Sequence, residues 1–434
     1  MKLTNYTDNG CTVNEPVIGY GFDVYHNVYD VSKIKYAAYN SCTDTAKNTF
    51  CRSPGTLEAI ANMENIMERI SYTVSMDPHT VRLNNINRNK YGEIIELMEA
   101  IQESSEYTSR KAAVDSFNTQ NRYKKRAIRC SLCRWPPVGG LYDDVNLSVY
   151  HSDGTVIITH GGIEMGQGIN TKIVQMAAHL LKIPVDKIQC KSNNTIISPN
   201  TFVTGGSIST DLILIALKRC IAQLWALLDP VKATLTEPTW LQLITAAYAA
   251  NVDLQVHGFV SAADAQSYEI FGVACCEVEV DVLTGEHNIL RVDILQDVGV
   301  SISPNIDIGQ IEGAFMMGVG YHTSEELVMD PENGDLLTDR SWYYFLPQAR
   351  DTPQQLIVTC KQTYSTDLIF GSKAVGEPPS CLAVVVPIAL RAAIVQARQE
   401  NGIPTTEWFE IAGPFTTEKI CMAMKNNPDD FKFE

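Results

Sequence analysis

The sequence is short of basic residues, of long apolar runs and of clustered cysteines. Its 434 residues carry 34 Lys+Arg against 50 Asp+Glu, which gives a formal net charge of −16. Because phosphate contacts need basic surface, this balance argues against nucleic acid and against an anionic membrane as partners. The longest apolar run, Cys381 to Leu390, contains Pro387 and falls short of the ~20 residues that span a bilayer. We therefore expect no membrane segment.

The 12 cysteines are scattered, and the start of the chain lacks a signal-peptide pattern. Cys130-Ser131-Leu132-Cys133 is the only C-x-x-C motif, and no second pair follows it at the spacing of a zinc site. The G-x-S-x-G elbow and the Walker A loop are also missing. Free thiols in a reducing compartment are the simplest interpretation, which predicts a cytoplasmic protein.

The first 125 residues have the patterns of a strand followed by helices. Val17–Tyr29 is rich in aromatic and β-branched residues, which favours a strand. Leu57–Val74 carries apolar residues at helical spacing, and we expect Pro78 to stop that helix. The basic run Lys124-Lys125-Arg126 is predicted to be a solvated helix end.

Two β-hairpins are predicted in the remainder of the chain. The first joins Val145–Tyr150 to Thr155–Thr159, and the second joins Val273–Val282 to Ile289–Leu295. Strands and helices are interleaved, but hairpins are frequent, so the α+β class fits better than a doubly wound parallel sheet. By composition, the Pro- and Gly-rich segment Arg134–Gly140 is the best candidate for a domain boundary.

Two glycine-rich loops each precede a predicted helix. Gly161–Gly168 and Thr204–Ser209 place glycines where backbone can approach a ligand, and the helix behind each offers unpaired N–H groups. Such loops suit an anionic or multiply hydrogen-bonding ligand. A plain strand–helix turn at the first loop, and a simple N-cap role for Ser207 at the second, are equally consistent with the residues.

A glutamate is held between a glycine and two prolines in Lys373–Pro379. Pro378 is expected to push the backbone of Glu377 towards extended conformations. If the side chain is buried, its pKa rises and it can serve as a general base near neutral pH. A glutamate on a surface loop is the alternative.

Taken together, four segments resemble one family. They are His160–Gly168, Pro199–Asp211, Asp297–Phe315 and Ser372–Pro379, and their order and spacing are similar to those of the molybdenum-binding region of animal aldehyde oxidases and xanthine dehydrogenases. The resemblance implies an α+β fold in two parts. Residues 1–125 would be the C-terminal remainder of a first molybdenum-cofactor-binding domain, and residues 126–434 the second.

The resemblance also implies a molybdenum–molybdopterin cofactor and a set of site residues. Glu377 matches the family's catalytic glutamate. Arg52 and Gly206 would lie beside the molybdenum through their backbone, while the pterin dithiolene holds the metal. The residues implied to bind the cofactor are Arg52, Met165, Gly166, Gln167, Gly206, Ser207, Ile208, Ser209 and Gln310.

The sequence departs from the family pattern in length and at the arginine loop. Family members carry two 2Fe–2S domains and an FAD domain upstream, and neither is recognisable here. We therefore expect a fragment or a truncated paralogue, inactive alone, from an enzyme that forms homodimers. Cys51-Arg52-Ser53-Pro54 replaces the F-R-G-F of xanthine dehydrogenases and offers no aromatic ring to stack on a purine. This favours oxidation of small-molecule aldehydes to carboxylic acids. The alternatives are a xanthine or other N-heterocycle dehydrogenase and a non-catalytic paralogue.

Overall fold

The computed structural model describes residues 1–11, 17–48, 51–137 and 142–427, in which ten strands and twelve α-helices lie. The mixture of open sheets and helices confirms the predicted α+β class. The strands are β1 (Lys2–Asp8), β2 (Lys35–Ser41), β3 (Lys124–Trp135), β4 (Asp143–Val149), β5 (Val156–His160), β6 (Ile188–Cys190), β7 (Gln255–Val260), β8 (Ile270–Asp281), β9 (His287–Asp297) and β10 (Gln355–Lys361). The helices are α1 (Thr56–Thr73), α2 (Pro78–Asn85), α3 (Arg88–Tyr91), α4 (Glu93–Ser104), α5 (Tyr107–Gln120), α6 (Ile169–Leu181), α7 (Ser209–Lys232), α8 (Trp240–Ala249), α9 (Pro304–Thr323), α10 (Pro378–Leu382), α11 (Val385–Glu400) and α12 (Thr417–Ala423).

Helical spacing correctly identified α1 but not the role of the proline beyond it. The predicted helix Leu57–Val74 is confirmed to within a residue at each end. Pro78 does not stop this helix; it opens α2 at the first helical position. There its missing N–H would have been unpaired anyway, and the Asp77 carboxylate caps the helix by accepting from the N–H of His79 at 3.0 Å.

The predicted strand Val17–Tyr29 is wrong. Val17–Asp23 forms a 3-10 helix, and turns follow it. Asn27, Val28 and Tyr29 are all buried in succession, which is not the alternation of a half-buried strand. The strands of this region are β1 and β2, which pair in parallel and are largely polar.

A four-stranded sheet in the order β10–β9–β8–β3 forms one half of the core. It contains the predicted hairpin of β8 and β9, which is confirmed. The basic run Lys124-Lys125-Arg126 is not a helix end but the start of β3. Because strand residues alternate between faces, Lys125 points inward and is only 1% exposed. Its ammonium donates to the carbonyl of Asn118 at 2.8 Å and also contacts the carboxylate of Glu400.

The second four-stranded sheet, in the order β6–β5–β4–β7, is covered by α6 and α7. Its antiparallel hairpin β4–β5 confirms the other predicted hairpin. Because β3 begins at Lys124, it spans the predicted boundary between residues 125 and 126. That division of the chain stays a prediction.

The most apolar helices lie inside the protein. Among the described residues, Pro378–Glu400 is long and apolar enough to cross a membrane, but 94% of its most apolar stretch is buried. This stretch includes α11, which packs against β3 and β8. The loop before α10 contacts the segment that precedes α1 and the loop that precedes α7. The segment before α1 in turn contacts α9.

Candidate active site

The loop that carries Glu377 is anchored on both sides of its tip. The ammonium of Lys373 donates to the carboxylate of Asp297 at 2.5 Å, and the N–H of Ala374 donates to the hydroxyl of Tyr268 at 3.1 Å. Glu377 then serves as the N-terminal cap residue of α10, with φ −108° and ψ −36°. The expectation of an extended backbone before Pro378 is therefore wrong, because the turn into α10 overrides that preference.

Glu377 is buried, and donors meet both of its carboxylate oxygens. The side chain is 7% exposed. The N–H of Ser53 donates to Oε1 and the hydroxyl of Ser207 donates to Oε2, each at 2.9 Å. Burial raises the pKa of the Glu377 carboxyl above its ordinary value, although these two donors and the nearby charge of Arg52 act to lower the pKa. The alternative of a surface glutamate is thus wrong.

Arg52 and Gln310 meet beside this carboxyl. The guanidinium of Arg52 donates to Oε1 of Gln310 at 2.9 Å, so the segment before α1 is joined to α9. A Cβ at Gly376 would lie 3.9 Å from that same Gln310 oxygen and 2.8 Å from Oγ of Ser207. Residues separated by more than 300 positions in sequence therefore share one small region.

The start of α7 has no side-chain cap. Gly206 and Ser207 both adopt left-handed backbone, with φ of 62° and 56°, and Ile208 is the cap residue without a capping hydrogen bond. The simple N-cap role considered for Ser207 is wrong, because its hydroxyl donates to Glu377 instead. Buried Ser209 begins the helix, whose first N–H groups and positive dipole end can receive an anionic or acceptor-rich ligand.

The loop before α6 differs, because the protein caps this helix itself. The carboxylate of Glu164 accepts from the N–H groups of Gly166, Gly168 and Asn170 at 2.9 to 3.0 Å. The expectation of unpaired N–H groups at this helix is therefore wrong. Inside the loop, the N–H of Met165 donates to the Oε1 of Gln167 at 2.7 Å.

Met165, Gly166 and Gln167 flank the Glu377 region rather than contact it in the described residues. The N–H of Ile163 donates to the hydroxyl of Thr204 at 2.9 Å, which joins this loop to the one before α7. Met165 is 65% exposed, and a Cβ at Gly166 would meet nothing within 4 Å. The loop thus presents the apolar side chain of Met165, while its own side chains pair the N–H groups of Met165 and Gly166. The individual roles assigned to these three residues stay predictions.

Three residues that matter to the geometry, Ser53, Ser380 and Tyr268, were not predicted from the sequence to be site residues. Ser53 contacts Glu377, and Ser380 accompanies it at the backbone of Glu377. Tyr268 joins Ala374 to α7, because its hydroxyl donates to the carboxylate of Asp211 at 2.7 Å. The one available signal was Ser53, which stands where the F-R-G-F pattern has a glycine.

The donor set fits an organic cofactor that carries its own metal ligands. Across the described ranges, no group of three His, Cys, Asp or Glu side chains is placed to hold a metal ion. Cys130 and Cys133 are buried within β3. In their place the region offers the uncapped start of α7, the accessible backbone at Gly205, and the polar side chains of Arg52 and Gln310. Such donors suit a pterin with a phosphate.

Comparisons with known proteins agree with this fit. Two families, each described as "Molybdopterin cofactor-binding domain", match residues 100–353 and 1–86. Xanthine dehydrogenase from Dictyostelium discoideum is 33% identical over 98% of this chain and 33% of its own length. Aldehyde oxidase 1 from Oryctolagus cuniculus is 32% identical over 98% of this chain and 34% of its own length. The crystal structure of quinoline 2-oxidoreductase from Pseudomonas putida 86 has a TM-score of 0.82 at 18% identity, covering 98% of this chain and 59% of that one.

These matches establish the family. The chain belongs to the molybdenum hydroxylases and contains molybdopterin cofactor-binding domains, as its four loops predict. It spans about a third of the length of the curated relatives, 33% and 34% for the two named above. The near-equal identities of the xanthine dehydrogenase and the aldehyde oxidase do not separate the two activities.

Proposed function

We propose that this chain is the cofactor-binding part of an enzyme that oxidises aldehydes to carboxylic acids, with Glu377 as the general base. The observation that carries the proposal is the buried Glu377 carboxyl, whose two oxygens accept from Ser53 and Ser207. A carboxyl with a raised pKa accepts a proton more readily near neutral pH than an exposed one.

In the proposed reaction, an aldehyde and water become a carboxylic acid, two protons and two electrons. The molybdenum cofactor, when bound, accepts the two electrons. Glu377 takes up one of the protons on a carboxylate oxygen, at a lone pair that Ser53 or Ser207 leaves unused. Arg52 and Gln310 would orient the cofactor, and the start of α7 at Gly206–Ser209 would donate N–H groups to it.

The residues next to Arg52 support aldehydes as the substrate class. Ser53 turns its hydroxyl towards the backbone of Glu377, and Pro54 follows it. Neither provides a ring on which a purine could stack. A small carbonyl compound needs no such ring. A xanthine or N-heterocycle dehydrogenase is the second candidate, supported by the 33% identity to a xanthine dehydrogenase.

The test is a comparison of substrates in the full-length protein, after molybdenum content has been measured. We expect a higher kcat/KM for aliphatic aldehydes than for xanthine. A clear preference for xanthine would replace the substrate class and leave the role of Glu377 standing. No turnover of either substrate by a molybdenum-loaded protein would favour the non-catalytic paralogue.

We further propose that electrons leave through 2Fe–2S and FAD groups held by polypeptide outside these 434 residues. The enzyme is expected to be a cytoplasmic homodimer, and light scattering of the purified full-length protein measures its mass. Without that additional polypeptide, we expect the isolated chain to retain little molybdenum and to be inactive. Stoichiometric molybdenum in the isolated chain would contradict this.

A further inference from the structure

Ser53 holds a backbone conformation that ordinarily belongs to glycine. Its φ is 61°, in the left-handed region, and the residue is 1% exposed. A side chain in this region costs free energy that glycine does not. Strain of this kind persists only where the surrounding contacts hold it, and it is concentrated at functional sites.

Three polar contacts hold the Ser53 side chain and amide. The hydroxyl lies 2.8 Å from the carbonyl oxygen of Glu377 and 2.5 Å from Oγ of Ser380. Ser380 lies 2.6 Å from the same carbonyl oxygen. Two hydroxyl protons therefore serve three oxygen–oxygen contacts, and together they link the segment before α1 to the turn into α10. The third polar contact of Ser53 itself is the hydrogen bond from its N–H to Oε1 of Glu377, at 2.9 Å.

The hydroxyl and the amide act on different parts of the same glutamate. The amide reaches the carboxylate directly, whereas the hydroxyl holds the backbone from which that carboxylate extends. Arg52 does not replace this link, because its guanidinium is bonded to Gln310 on α9. Without the hydroxyl, only the hydrogen bond from the Ser53 N–H would join the Ser53 segment to Glu377, and its donor would belong to a strained residue.

We propose that Ser53 is a positioning residue for Glu377. Its hydroxyl ties the segment before α1 to the backbone of Glu377, and this tie keeps the Ser53 N–H on the carboxylate. The proposal rests on the proposed role of Glu377 as the base. It also explains a serine at a position where glycine would be free of strain, because the hydroxyl offsets the unfavourable backbone.

Three variants separate the hydroxyl from the strain. Ser53→Ala removes the hydroxyl and keeps the strained backbone. Ser53→Gly removes the hydroxyl and the strain together, since glycine favours this conformation. Ser380→Ala, the matched control, removes a hydroxyl from the same cluster but leaves the direct contact between Ser53 and the Glu377 backbone.

The first readout needs no cofactor: hydrogen exchange of residues 51–57 in the 434-residue chain. We expect Ser53→Ala to exchange about tenfold faster than wild type, because local opening releases the Ser53 amide. Ser53→Gly and Ser380→Ala should stay within about threefold of wild type. A peptide from β4 serves as the internal reference and should not change in any variant.

The second readout is the division between kcat and KM in the molybdenum-loaded full-length protein with an aliphatic aldehyde. We expect Ser53→Ala to lower kcat about tenfold with little change in KM, since a misplaced base affects the transition state. Ser53→Gly should lower kcat only about threefold. This order cannot arise from lost volume, because glycine removes more atoms than alanine.

Equal exchange and equal kcat in Ser53→Ala and wild type would overturn the proposal, and so would a Ser53→Gly variant more impaired than Ser53→Ala. If Ser53→Ala does not fold, a Ser53→Gly variant with wild-type kcat would overturn it. The expected order in hydrogen exchange, combined with no aldehyde oxidation by wild type, would support the positioning role and contradict the proposed function instead.

Discussion

The hydroxyl of Ser207 donates a hydrogen bond of 2.9 Å to Oε2 of Glu377, although 170 residues separate the two in sequence. Ser207 belongs to the loop before α7, where φ is 56°, and Glu377 belongs to the turn into α10. The contact joins a glycine-rich loop, which the family resemblance assigns to the cofactor, to the residue assigned to catalysis. It therefore predicts a pH effect that neither loop alone would suggest.

Replacing Ser207 by alanine should shift the pH dependence of turnover. Burial already raises the pKa of Glu377, and the Ser207 hydroxyl acts against that rise. Without the Ser207 hydroxyl, the pKa of Glu377 rises further. When the pH is lowered, Glu377 is therefore protonated, and lost as a base, at a higher pH than in the wild type. We expect the acid limb of kcat/KM to move to higher pH, with near-normal turnover well above it. An unmoved limb in Ser207→Ala would refute the link.

Gly376→Ala should disturb the same contact by steric means. A Cβ at Gly376 would lie 2.8 Å from Oγ of Ser207, so the hydroxyl must move away from Glu377. We therefore expect the acid limb of kcat/KM to move to higher pH, in the same direction as in Ser207→Ala. The control is Gly313→Ala in α9, where a Cβ meets nothing within 4 Å and should leave the limb unmoved. The same acid limb in both variants would contradict the prediction.

The periodicity of apolar residues and the residue types found at turns predict most of the secondary structure in the second half of the chain. The hairpins β4–β5 and β8–β9 follow from alternation around turn residues, and α1 follows from apolar spacing. The same reasoning failed at Val17–Tyr29, because aromatic and β-branched residues also occur in a 3-10 helix and in the turns after it, where Val24 and Val28 are buried. The prediction also failed at Lys125, because the burial of this lysine depends on its contacts with Asn118 and Glu400 in the folded protein.

The site was predictable as a set of loops but not as a set of contacts. The resemblance named Glu377, Ser207, Arg52 and Gln310, which the structure brings together in two contacting pairs. The resemblance could not show that Glu164 caps α6, because no sequence pattern indicates that this side chain folds back onto its own loop. Long-range partners of this kind depend on the packed fold.

Asp143→Asn should stabilise the protein at high pH. Burial raises the pKa of Asp143 to about 7, whereas the unfolded carboxyl has a pKa of about 4. Between these values unfolding releases a proton, so the free energy of unfolding falls as the pH rises. Asparagine removes this dependence. We expect a gain of about 1–3 kcal/mol at pH 8 and little change at pH 4 in denaturant titrations. An equal effect at both pH values would contradict the assignment.

The buried ion pair between α1 and α2 should contribute strongly to the stability of the N-terminal part. Glu64 accepts from Arg82 at 2.8 Å and from the hydroxyl of Tyr29 at 2.7 Å. Glu64→Gln leaves the buried guanidinium with less compensation, and we expect a loss of about 2–4 kcal/mol in the free energy of unfolding. Glu410→Gln, which removes the exposed partner of Arg69, should change it by less than about 0.5 kcal/mol. Similar losses in the free energy of unfolding for the two variants would show that burial does not determine how much an ion pair contributes to stability.

The most direct test of the central claim is single-turnover reduction of the molybdenum centre by an aldehyde in the full-length Glu377→Gln protein. Glutamine keeps the size of the side chain: its oxygen can still accept from the Ser53 N–H, and its NH2 group can donate to the Ser207 hydroxyl, but the side chain cannot take up the proton. With molybdenum content confirmed, we expect the rate of reduction to fall about 10²–10⁴-fold while aldehyde affinity changes little. A variant that reduces its molybdenum at the wild-type rate would remove Glu377 from the reaction.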